Sequence, residues 1–298
     1  MWARGADTVQ LPQPEPTNLQ THKLIKTMEN FNIKRFGQVF CRLLLVRKKT
    51  YFNLFLTAVL FFALAVIAGF NPFHWDKLSV EEMTVSLVGL SSFCYGAIGI
   101  VATLCGSAII SDLRNKQDKI SELTLPASNL EKFVARFIGA TFVVMLIVAA
   151  AFVVGDLLQQ GVNMLIHKGS HASMLMLLFK NMDQAIQGFN EADNSLPLRL
   201  LGFITANSIF VVGGMFFRKV AWLKTGLTFI AITFTLMGIF VGFCYLVYTY
   251  TDYVVVVPNE FPKWAHALFC VTITASCYYF AYRIYCRLQA VNNKWINI

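Results

Sequence analysis

Apolar residues run along this chain in six long blocks separated by shorter polar segments. The blocks are Phe52–Phe70, Thr84–Ile110, Phe133–Gly155, Leu200–Phe217, Ala221–Tyr248 and Ala265–Tyr285, from 18 to 28 residues long. A helix needs about 20 mostly apolar residues to cross the hydrocarbon core of a bilayer. The pattern therefore predicts six membrane-spanning helices. Arg136 and Arg283 stand near one end of the third and sixth blocks, where a long basic side chain is expected to snorkel toward the headgroups. Ser173–Phe179 is apolar but about a third of a span, so an amphipathic or re-entrant piece outside the bilayer is expected there.

Ahead of the first block, apolar residues are interleaved with basic ones. Between Phe31 and Val46, Ile33, Phe36, Phe40, Leu43 and Leu44 recur at helical steps, with Lys34, Arg35, Gln38 and Arg42 mostly between them. That pattern predicts an amphipathic helix lying in the membrane interface, with Arg47-Lys48-Lys49 anchoring the start of the span behind it.

Composition narrows the class. Of 298 residues 56% are apolar and only 14% charged, against roughly a quarter charged in soluble chains. This excludes a disordered chain, a disulfide-stapled secreted module and an ordinary soluble enzyme. The net charge of +9 is a sum over two faces. Twenty Lys and Arg fall on the side of the termini and the second and fourth connections; five fall on the other. With the acidic residues counted, the faces carry about +13 and −4. The positive-inside rule then puts both termini in the cytoplasm. The basic excess points to anionic inner-leaflet lipid as its partner, not to nucleic acid.

Residues 1–27 are polar, with three prolines between Pro12 and Pro16 and no apolar core. They are expected to be a disordered tail, with Met28 the true start, followed by a single six-span domain over 28–298. Residues 156–199 form its long extracytoplasmic loop.

The chain has no G-x-x-x-x-G-K-[ST], no H-E-x-x-H and no G-x-S-x-G, which removes the P-loop, zincin and nucleophile-elbow chemistries. Its seven cysteines sit mostly within the spans without C-x-x-C pairing and read as packing residues. His167 and His171 are four residues apart, but Gly169 lies between them and no third ligand is near. No metal, cofactor or enzymatic activity is expected. The span interiors also lack the Asp, Glu or His that an ion-coupled transporter keeps at midplane.

Uncharged polar groups do occur there. Thr205, Asn207 and Ser208 sit in the fourth span, where they line a polar path or bond one helix to another. Ser92, Gly96, Gly99, Thr103 and Gly106 form a small-residue stripe on the second span, and Gly238 and Gly242 a G-x-x-x-G on the fifth. Both are expected to pack within the bundle. In the connection after the second span, Pro126 disfavours helix at Leu125. Ser128-x-x-Glu131 then has the form of a capping box.

The string Leu125-Pro126-Ala127-Ser128-x-x-Glu131-Lys132-x-x-x-Arg136 resembles the cytoplasmic loop of bacterial ABC-2 type permeases, in particular their six-span Bacteroidetes form. Asn32-Ile33-Lys34-Arg35-Phe36, continuing to Phe40, resembles the family's N-terminal interfacial helix. The likeness covers residues 28–298 in topology, but only 31–51 and 111–136 at motif level. It implies the inner-membrane half of an ABC transporter, usually an exporter. Such a subunit pairs with itself or a second permease and recruits a separate ATP-binding subunit through these two segments. The competing expectation is a membrane-embedded interaction or immunity-type protein without transport.

Overall fold

The computed structural model describes residues 31–69, 80–113, 115–166, 173–177, 179, 196–251 and 262–288. The expected N-terminal tail, the His167/His171 pair and most of the 156–199 loop lie outside these residues. Among the described residues the fold is all-helical. Its helices are α1 (Ile33–Gly69), α2 (Val80–Leu104), α3 (Lys116–Leu123), α4 (Asn129–Ile138), α5 (Val144–Ile166), α6 (Leu196–Phe216), α7 (Ala221–Tyr250) and α8 (Lys263–Cys286). A 3-10 turn, Cys105–Ala108, ends α2, and a π-helical turn, Gly139–Val143, joins α4 to α5. Six of the helical runs are long and apolar enough to cross a membrane.

The first departure from the sequence expectation is α1. Ile33, Lys34, Arg35, Phe36 and Phe40 do not form a separate interfacial helix. They are the first turns of one uninterrupted 37-residue helix that also contains the first span. No proline or glycine lies between Val46 and Phe52, and the Arg-Lys-Lys step at 47–49 favours helix. At 1.5 Å per residue α1 is roughly 55 Å long, so its N-terminal third projects beyond the apolar band.

The bundle has two cores. One joins α1, α2 and α5 through Phe62, Leu87, Cys94, Val148 and Phe152. The other joins the 109–113 segment, α4, α6 and α8 through Ile109, Phe133, Val211, Ala281 and Tyr285. Backbones come closest where glycine permits it. A Cβ on Gly106 would lie 2.7 Å from Val211 Cγ2, and one on Gly214 would lie 2.6 Å from the Ser107 carbonyl oxygen. The rest of the small-residue stripe is looser, with nothing within 4 Å of a Cβ placed on Gly96. The same holds for Gly238 and Gly242, so this G-x-x-x-G does not pack within the bundle as expected. Among the described residues its helix, α7, is buried at one position, Thr225, in its first turns. The α6–α7 turn places Val220 at φ 50°, ψ 48°. This left-handed conformation is strained for a β-branched residue, at about 1–3 kcal/mol.

The third span is also longer than expected, running past Gly155 to Ile166. Buried Asp156 explains what holds this extension. Its carboxylate accepts from the backbone N–H groups of Met174 (2.9 Å) and Leu175 (3.3 Å) and from Ser173 Oγ (2.7 Å). Asp156 thereby caps a helical turn at 174–177. Met174 and Leu177 join the first core, so this short apolar piece is pinned to the bundle and does not lie apart from it.

Candidate functional site

The motif-bearing segments converge at the end of the bundle that carries most of the basic residues. Ser128 starts α4 as its pattern predicts. Its Oγ accepts from the Glu131 N–H at 3.2 Å, and Glu131 Oε2 accepts from the Ser128 N–H at 3.0 Å. Glu131 is fully buried because its other oxygen is used as well. Oε1 accepts from the Asn32 N–H at 2.6 Å and from Arg35 Nη2 at 3.0 Å. One carboxylate therefore closes the starts of two helices, α4 and α1. Beside it, Leu125, Pro126 and Ala127 line a groove with Arg35, Gln38, Val39 and Arg42, and Arg42 Nη2 donates to Ser121 Oγ at 2.6 Å.

Deeper lies a buried ionic junction. Arg136 does not snorkel; it is 3% exposed and turned inward. Its Nε donates to Glu122 Oε1 at 2.7 Å, and its Nη1 donates to both oxygens of Asp112 at 2.8 and 3.0 Å. Arg47 of α1 meets Asp112 from the other side and donates to the Ile109 carbonyl at 2.7 Å. Tyr285 of α8 donates to Glu122 Oε1 at 2.8 Å. Lys132 is buried too, its ammonium 3.5 Å from the Leu123 carbonyl at the end of α3. Arg283, by contrast, is exposed and lies over the Tyr279 ring.

The junction is balanced, two guanidiniums against two carboxylates. Burial pushes the Asp112 carboxyl up, but Arg136 and Arg47 more than offset it and hold the group below its ordinary range. Glu122 follows the same logic: burial raises it, and the hydrogen bond and charge of Arg136, with the Tyr285 hydroxyl, bring it lower overall. Just above, Tyr51 of α1 donates to the Gly139 carbonyl at 2.9 Å, at the start of the π turn, where the regular ladder is interrupted.

α3 buries two charged residues and exposes two apolar ones. Lys119 and Glu122 are buried while Lys116 and Asp118 stay exposed, and Ile120 and Leu123 are 44% and 45% exposed. Leu130, at the start of α4, adds a third exposed apolar side chain at 44%.

The polar residues of the fourth span stand elsewhere. Asn207 Nδ2 donates to the Ala102 carbonyl at 2.9 Å, joining α6 to α2. Thr205 shares a 3.0 Å hydrogen bond with Thr274 of α8, and Ser208 bonds within its own helix. Each is used between or within helices.

Asp112, Glu122 and Tyr285 were not singled out in the sequence, and Arg47 was expected as part of the basic anchor at the start of the first span rather than in a buried ion pair. Asp112 and Glu122 stand ahead of Pro126 in the connection that leads to Arg136, which hints at opposite charges in one segment but not at their pairing. Nothing in the sequence marks Tyr285.

The chain is a multi-pass helical membrane protein with an ionic junction at one end of its bundle. Comparison with protein-family models, with curated proteins and with solved structures returns no match.

Proposed function

We propose that the chain is the membrane-spanning subunit of an ABC exporter of the ABC-2 type. It has no ATPase of its own and moves an amphiphilic substrate outward when a separate ATP-binding subunit hydrolyses ATP. In this reading it sits in the bacterial inner membrane with both ends cytoplasmic and works as a dimer of permeases. The observation that carries the reading is the outer face of α3. A short helix outside the spans that buries Lys119 and Glu122 and exposes Ile120 and Leu123 beside Lys116 and Asp118 offers a partly apolar, charge-flanked seat to a partner protein.

The junction beneath supplies what a coupling element needs. A push on α3 reaches α4 through Glu122–Arg136 and α8 through Glu122–Tyr285, and passes on from Arg136 to α1 through Asp112–Arg47. Closure of paired ATPase subunits would then be transmitted to three helices as a rigid-body displacement. Asp156, the buried carboxylate that the longer third span brings in, is engaged in capping the 174–177 turn, which fits a transporter whose energy comes from a partner.

The test is purification of the tagged chain in mild detergent with the P-loop ATPase encoded beside it. ATPase activity should rise on complex formation, and Ile120→Asp with Leu123→Asp should abolish the rise without changing membrane insertion. Absence of any bound P-loop protein would favour the interaction or immunity protein and sink the transport reading.

A further inference from the structure

A cavity of about 600 Å³ runs inward from the basic end of the bundle, between α1, the end of α2 and the start of the π turn. Leu54, Val101, Leu104 and Val144 line its inner part, and Arg47 and Asp112 stand together at its polar end. Thr50, Ser111 and Trp222, which are exposed, mark its mouth. Two of its walls are places where the α-helical ladder gives way. Cys105, Ser107 and Ala108 belong to the 3-10 turn that ends α2, and Ala140 to the π turn. Breaks of this kind are frequent at functional sites.

We propose that this cavity binds one neutral, single-chain amphiphile, its ester or hydroxyl head between Arg47 and Asp112 and its chain along Leu54, Val101, Leu104 and Val144.

Three observations carry the assignment. The first is an unmade hydrogen bond. Arg47 is 5% exposed, and its Nε–H is buried with no acceptor among the described residues, although its Nη2 serves Asp112 and the Ile109 carbonyl. A buried donor is costly to leave unsatisfied, and an ester or hydroxyl oxygen in the cavity supplies the acceptor. The second is charge. Arg47 and Asp112 are the charged residues of the wall and are paired with each other, so the lining is neutral overall. Asp112 is partly exposed and can still accept from a hydroxyl. An anion would face the carboxylate and a cation the guanidinium, and either would lose its hydration without gaining an unpaired counter-charge. Arg218 and Lys219 stand in an adjoining cavity beyond Trp222, and Arg218 is already engaged within the chain. The third is size and shape. A mouth at the polar end and apolar inner walls admit a chain tail-first. The volume is that of a small-molecule site, with room for one chain and not for the two of a membrane phospholipid. Trp222 at the mouth suits the boundary between chain and head, where one edge of an indole is apolar and the other wet.

The site is independent of the transport reading, so either can fail alone. The test uses the full-length chain in phosphatidylcholine nanodiscs, free of single-chain detergent. The probe is a dodecanoyl ester of glycerol carrying a nitroxide close to the ester. Its readout is the quenching of Trp222, isolated by subtracting the signal of Trp222→Phe. Quenching should saturate in the parent chain and become non-saturating in Val101→Phe, which fills the inner part. Arg47→Lys, which keeps a charge facing Asp112 and lacks the Nε–H, should weaken binding about fivefold. Unlabelled dodecanoyl glycerol should displace the probe at about tenfold lower content than dodecanoyl glycerol phosphate or dodecanoyl choline. Displacement by either charged ester as good as by the neutral one would overturn the proposal. So would unchanged affinity in Arg47→Lys, saturable quenching that survives Val101→Phe, or no saturation in the parent chain. Native mass spectrometry of the unaltered chain reads the same order should a variant fail to fold: preferential retention of dodecanoyl glycerol supports the site, and equal retention of the three esters refutes it.

Discussion

Arg136 and Glu122 meet at 2.7 Å across a connection that contains Pro126, and both side chains are buried. An arginine so placed is held by geometry as much as by charge, because Nε and Nη1 serve two different carboxylates. Removing one partner of a buried pair leaves the other charge uncompensated, at about 3–5 kcal/mol. Arg136→Met should therefore lower the thermal unfolding midpoint in detergent strongly. Arg136→Lys should fall between, since an ammonium cannot reproduce the fork. Glu122→Gln, which keeps an acceptor for Tyr285, should cost less than Arg136→Met. Equal midpoints for Arg136→Met and the parent chain would remove the junction from any account of stability.

The two carboxylates of the junction contribute to the response to acid. Asp112 and Glu122 are both held below their ordinary carboxylate values, which lie near 4 in an unfolded chain. Their contribution is fully present above that value and is lost as pH falls through the lower folded values. The unfolding midpoint should be flat with respect to these two groups from neutral pH to about 5 and should drop below about 4. In Asp112→Asn with Glu122→Gln, the midpoint should start lower and the acid limb should flatten. An acid limb unchanged in the double variant would assign it to other carboxylates.

What was legible in the sequence was local. Ser128 and Glu131 are three residues apart, and their reciprocal cap could be written down from the pattern. The other half of Glu131's role could not, because Asn32 and Arg35 are 99 and 96 residues away. The spans were legible because length and apolarity are properties of a window. The join between the N-terminal amphipathic turns and the first span was not. The helical period of Ile33, Phe36 and Phe40 continues in phase through the basic step at 47–49, so no boundary exists to be read. Arg136 was expected to reach for headgroups because its neighbours in sequence are apolar. Its acids arrive from a connection that folds back beneath it, a fact of tertiary structure alone.

Glu131 offers a test of that long-range half. Ser128→Ala removes one cap and should cost about 1 kcal/mol. Glu131→Ala should cost more, since it also strips the acceptor from the Asn32 N–H and the Arg35 guanidinium, and buried orphaned donors cost about 1–3 kcal/mol each. The distinguishing readout is location. Hydrogen exchange should rise over the first turns of α1, around residues 33–36, in Glu131→Ala but not in Ser128→Ala. Equal protection of those turns in the two variants would confine Glu131 to capping α4.

Glycine separates the packed part of the bundle from the open part. A Cβ on Gly213 would overlap Thr225 Oγ1 and come within 2.5 Å of Thr225 Cγ2. One on Gly238, in the same helix as Thr225, meets nothing within 4 Å. Gly213→Ala should therefore force α6 and α7 apart where Gly213 meets Thr225, costing about 1–3 kcal/mol as an overpacked contact. Thr225→Ala, which removes both the hydroxyl and the methyl, should restore part of that loss in the double variant. Gly238→Ala should leave the unfolding midpoint of the isolated chain unchanged or slightly raised, since alanine is the better helix former. Measured together in detergent, the three variants test whether α7 is held by its first turns alone. A large loss from Gly238→Ala in a monomeric sample would mean that the outer part of α7 packs on this chain. A loss confined to samples that sediment as dimers would assign its Gly238–Gly242 face to a second copy.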